Sequence, residues 1–157
     1  MNGQYQRQQH GRNQNRQGNK NSGHGGDDSL PAFQSKWITE GADDKMIEYA
    51  KKLAHFMVDS KKDGEKVSSS QLRNIYGEVM RIKQKGFNKG KTDFLLLKPK
   101  VAYNYGRIKN SQQKERFKVF LNDFNKAHAL VESEKTFDNF HKYFEAILAY
   151  HKYYGGK

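Results

Sequence analysis

The chain has 157 residues, with 29 Lys and Arg against 17 Asp and Glu, a formal charge of +12 and no cysteine. That length supports one domain with its own core, and the missing cysteines exclude disulfides and thiolate metal sites. The excess charge points to a polyanion, and because no stretch approaches the roughly eighteen unbroken apolar residues of a membrane span, nucleic acid is favoured over a membrane.

Residues 1–35 are Gln, Asn, Gly, Arg and Ser with almost nothing to bury, so they are expected to form a disordered N-terminal tail. The tail carries four basic and two acidic side chains, leaving 25 against 15, so the charge belongs mainly to the domain of residues 36–157. With no apolar leader at the N-terminus, the expected location is cytoplasmic. The lone Trp37 reads as a lid over the core rather than a base-stacking platform.

Asp43 and Asp44 suit the first turn of a helix over about 44–62, where Met46, Ala50, Leu53 and Met57 recur at helical spacing and Ile47 and Ala54 lie beside them. Lys51, Lys52, His55 and Lys62 fall off that stripe, and Gly64 is the expected stop. The next helix opens at Ser68, read with Gln71 as a capping box, and stops at Gly86. Leu72, Ile75, Tyr76, Val79 and Ile82 share one stripe, while Arg73, Gly77, Arg81 and Lys85 form an i, i+4 ridge beside it. Gly77 leaves a gap in that ridge where a phosphate backbone could come close.

Residues 87–91, FNKGK, read as a polar basic loop able to wrap a backbone. Pro99 lacks an N–H, so a short turn over 94–97 and a helix over about 98–109 are expected. Leu97, Val101, Tyr105 and Ile108 make its inner stripe, and Lys100, Tyr103 and Arg107 share another face. Tyr103 is either core packing or a ring for a base or ribose. Asn110 with Gln113 opens a helix to about Val131, burying Phe117, Phe120, Leu121, Phe124, Ala127 and Val131. After a short turn near Ser133 a last helix runs to about Tyr153, burying Phe137, Phe140, Phe144, Ile147 and Leu148. No alternating apolar pattern predicts a strand. The fold class is therefore all-α, a single five-helix bundle.

For catalysis, the histidines are the only groups that titrate near neutrality. His10 and His24 are in the tail, and His55, His128, His141 and His151 are scattered, none being read as pairing with a glutamate at i, i+4 to suggest a metal site. There is no phosphate loop and no nucleophile signature. Binding without catalysis, cofactor or metal is the reading. The alternatives are a small helical ribonuclease using His128 or His141, and a structural adaptor whose basic ridges are locked in internal ion pairs.

Two blocks, SSSQLRNIYGEVMRI and LLLKPKVAYNYGRIKN, resemble the pattern of the small helical subunit of the type III-A CRISPR Csm effector complex, and the resemblance extends over most of residues 36–153. It implies a five-helix subunit without nuclease activity that stacks in copies of itself, beside other Csm subunits, as an inner filament. That filament lines the groove holding target RNA paired to the crRNA. Carried onto this chain, the basic positions are Arg73 and Arg81, then Lys98, Lys100 and Arg107, and by looser correspondence Lys51 and Lys52. With Lys85 and Tyr103 from the ridges, these nine residues are the expected RNA-binding set. Such contacts read charge and shape but not sequence.

Overall fold

A short helix, α1 (Lys36–Thr39), sets two large side chains into the interior, Trp37 and Ile38. The structure is a computed structural model and describes residues 30–156. Residues 1–29, most of the expected disordered tail, lie outside the described residues; Leu30 and Phe33 pack against the core. Five longer helices follow, α2 (Asp44–Val58), α3 (Ser69–Lys85), α4 (Lys91–Arg107), α5 (Ser111–Ala129) and α6 (Glu134–Tyr153). The described residues contain no strand. The all-α bundle is as expected, with α1 as an added element.

Trp37 is covered by Phe33, Tyr49 and Tyr143, with ring centroids 5.7, 5.0 and 6.4 Å away, so it seals the core as a lid and offers no face to a base. The Asp43 carboxylate caps α2 by accepting from the Met46 N–H at 2.8 Å, and that bond is the first reason its pKa lies below the usual carboxylate value. α2 ends at Val58, four residues before the expected Lys62. The cause is local: the Ser60 N–H turns back to the Val58 carbonyl, and the Ser60 hydroxyl donates to Glu65 at 2.7 Å, a competing bond of the kind serine offers.

Ser68 does cap α3, but through the Ser70 N–H at 3.2 Å. Gln71 takes no part, and the capping box is found instead at Ser133 and Thr136, opening α6. Leu72, Ile75, Val79 and Ile82 are buried as the spacing required. Gly86 ends α3 with φ of 88°, a conformation that glycine adopts without a side-chain penalty. The link that follows is short: Lys91 already belongs to α4, and Phe87 is buried between Phe94 and Phe137, each centroid 5.5 Å away.

α4 is one continuous helix, so the expected break before Lys98 is absent and Phe94 belongs to the same buried stripe as Leu97 and Val101. Pro99 lies inside it at an exposed position, and Leu95, whose carbonyl it leaves without a helical donor, is exposed as well. α5 opens on Asn110, which accepts from the Gln113 N–H at 2.9 Å. α6 is the central element, packed on α1, α2 and α3, and its buried arc is correspondingly wide. Phe140 and Phe144 meet Phe124 at 5.5 and 6.3 Å. Leu121, Val131 and Leu148, expected inside, are only partly buried at its margin.

Candidate nucleic-acid interface

α3 and α4 are consecutive helices joined by the short link at 86–90, and they pack on one another as a hairpin. Residues 69–107 contain nine basic and two acidic side chains, so a quarter of the chain holds most of its excess charge. The buried stripes of both helices fix which cations face outward. On α3, Arg73, Arg81 and Lys85 are exposed, as is Gly77. A Cβ at Gly77 would meet no heavy atom within 4 Å, so the gap in the ridge is real and open.

Two carboxylates organise the cations between the helices. Glu78 accepts from Arg81 at 2.9 Å and from Lys100 at 3.1 Å, tying the helices together. Asp93 accepts from Lys85 at 2.8 Å near the hairpin tip, and that lysine is the first cause of its lowered pKa. These pairs are solvent-exposed and so worth roughly 0–1 kcal/mol each; they orient the cations and leave them at the surface. Arg73 and Arg107 have no ion pair among the described residues. Arg107 instead lies over the Tyr103 ring, 5.5 Å from its centroid. A fully ion-paired ridge, the mark of a pure adaptor, is therefore not what the hairpin presents.

The nine expected positions do not form one strip. Arg81, Lys85, Lys100, Tyr103 and Arg107 flank the α3–α4 groove or its tip. Arg73 stands towards the start of α3, near enough to the buried His151 to help lower its pKa. Lys98 is on the other flank of α4, towards His128 of α5, on which it has the same influence. Lys51 and Lys52 are exposed on α2, which packs on α6 and α5, and Lys52 lines a separate groove beside Trp37. Glu78 has no place in the expected set, although its i, i+3 spacing to Arg81 marks it as a partner.

The two ribonuclease candidates are interior groups. His128 is parallel to the Phe94 ring at 3.9 Å, with Nε2 2.7 Å from the Phe94 carbonyl. His141 is buried between Tyr76 and Met80, with Nε2 3.1 Å from the methionine sulfur. Burial is the first cause of the lowered pKa of both. The expectation that no histidine pairs with a glutamate at i, i+4 is corrected by His141 and Glu145, which do stand at that spacing, with Nδ1 4.0 Å from a carboxylate oxygen. Among the described residues no third ligand joins them, and no group of three His, Asp or Glu side chains could hold a metal ion. No described helix is long and apolar enough to cross a membrane.

A model of the family described as Csm2 Type III-A matches residues 41–157, which takes in α2 to α6 and omits α1. No curated protein and no solved structure matches the chain.

Proposed function

From the premise that the chain belongs to the Csm2 type III-A family and is a subunit of the type III-A CRISPR complex, we propose that it is a non-catalytic RNA-binding subunit. It stacks with copies of itself, beside other Csm subunits, as the inner filament lining the groove of the crRNA–target duplex. The observation that carries this reading is the charge of the α3–α4 hairpin, nine cations against two carboxylates on a frame held by apolar stripes. Arg81, Lys85, Lys100 and Arg107 form its centre, with Arg73 and Lys98 as outlying contacts. Lys51 and Lys52, on another part of the bundle, belong to the set only if the RNA or its duplex crosses more than one face.

Contacts of this kind go to phosphates, so the affinity they give is independent of base sequence. That suits a subunit whose complex takes its specificity from guide pairing. Gly77 supplies a test in which stability and binding move in opposite directions. Alanine there should stabilise the exposed helix by about 0.5–1 kcal/mol, since nothing obstructs the new methyl. The same methyl should weaken RNA binding if a phosphate backbone passes over the gap. Thermal unfolding and RNA titration of Gly77→Ala check both signs, and unchanged affinity would remove Gly77 from the interface.

The ribonuclease reading predicts cleavage by the isolated chain. A subunit that only binds should leave labelled RNA intact over hours with the purified protein, with or without divalent cations. Cleavage abolished by His141→Gln would overturn the non-catalytic reading.

A further inference from the structure

The α3–α4 hairpin contains a groove of about 340 Å³, a volume within the range of small-molecule sites. Its floor is apolar, made by Ile75, Leu97 and Val101. Tyr103 stands at its edge with 65% of its surface exposed. Asn74 and Asn104 also line it, and their amides have no hydrogen-bond partner among the described residues.

We propose that this groove takes the base of an unpaired nucleotide, with Tyr103 stacking on the ring and Lys100 and Arg107 holding the adjacent phosphate. The inference rests on the RNA-binding reading of the hairpin and adds to it a second kind of contact. Charge complementarity selects the occupant. An apolar peptide would fit the floor but would take Arg107, which has no ion pair among the described residues, out of water without compensation, whereas a nucleotide brings a flat apolar ring and an anion together. Arg107 already lies over the Tyr103 ring at 5.5 Å, so the cation and the ring that would meet phosphate and base are assembled side by side. The free amides of Asn74 and Asn104 can each donate and accept, matching the polar edge that every base carries. A paired base is stacked on both faces and has none to offer, so the ligand is a nucleotide unpaired in the target strand or beside the duplex.

The test compares two short single-stranded RNAs, one intact and one with abasic residues on the same backbone, for the full chain and for Tyr103→Ala and Tyr103→Phe. The wild-type chain is expected to prefer the intact strand by about tenfold, within the range for one base stacked on an aromatic side chain. Tyr103→Phe should keep that preference, and Tyr103→Ala should bind both strands equally. Equal wild-type binding of the two strands overturns the base pocket while leaving the backbone contacts standing. Failure to bind either strand overturns the RNA reading itself. Loss of self-association in Tyr103→Ala with the base preference intact would assign the groove to a second copy of the chain and overturn the proposal.

Discussion

Acidification from pH 7 towards pH 5.5 should destabilise the protein steeply, by up to about 1.4 kcal/mol per pH unit for each of three buried histidines. His128, His141 and His151 all have pKa values lowered first by burial. Hydrogen bonds to the Phe94 and Val67 carbonyls partly offset burial at His128 and His151, as Glu145 and Asp138 do at His141, while nearby cations act with burial, Lys98 for His128, Lys83 for His141 and Arg73 for His151. A histidine that stays neutral in the folded state binds fewer protons than in the unfolded one. Stability is therefore fully present above the unfolded value near 6.5 and is lost as pH falls through it towards the depressed folded values. The carboxylates with lowered pKa, Asp43, Asp93, Asp138 and Glu65, act in a more acidic window, so the loss between pH 6.5 and 5.5 belongs to the histidines. Denaturant unfolding at a series of pH values measures the slope, and His141→Gln should reduce it by one proton's share. Equal stability at pH 7 and pH 5.5 would mean that these rings are charged in the fold.

Removing Arg81, Lys100 and Arg107 together by alanine substitution should lower RNA affinity by about 10- to 100-fold and reduce the salt slope by about two, at roughly 0.7 for each phosphate no longer neutralised. The weakening should be equal for unrelated sequences. It should also leave folding nearly intact, because the Arg81–Glu78 and Lys100–Glu78 pairs are exposed and weak. Glu78→Gln supplies the opposite sign. It releases both cations from their shared carboxylate and should raise affinity. Filter binding or fluorescence anisotropy at fixed salt reads both variants; a triple variant that binds as the wild type does would show that the groove flanks are not the interface.

The helices themselves were legible in the sequence because stripes such as Leu72, Ile75, Val79 and Ile82 recur at one period over several turns. Boundaries were less so. Pro99 suggested a break, yet Phe94, Leu97 and Val101 keep one phase through it, and the missing hydrogen bond falls between two exposed residues, Leu95 and Pro99. Ser68 was the right cap but Gln71 the wrong partner, since local spacing cannot show which of several N–H groups a serine side chain reaches. The candidate site was legible one helix at a time and no further. Lys98 and Lys100 are two residues apart, but one faces α5 and the other Glu78 of α3, a division that tertiary packing decides. Lys51 and Lys52 look like part of the same basic set on paper and are carried elsewhere by α2.

The central claim is that the hairpin holds an RNA backbone by charge, and the salt dependence of affinity tests it most directly. For the full chain with single-stranded RNAs of unrelated sequence, neutralising about four to six phosphates predicts that log affinity falls against log salt with a slope of about −3 to −4. The slope should be the same for every sequence; a flat response, or one that changes with sequence, would contradict the claim.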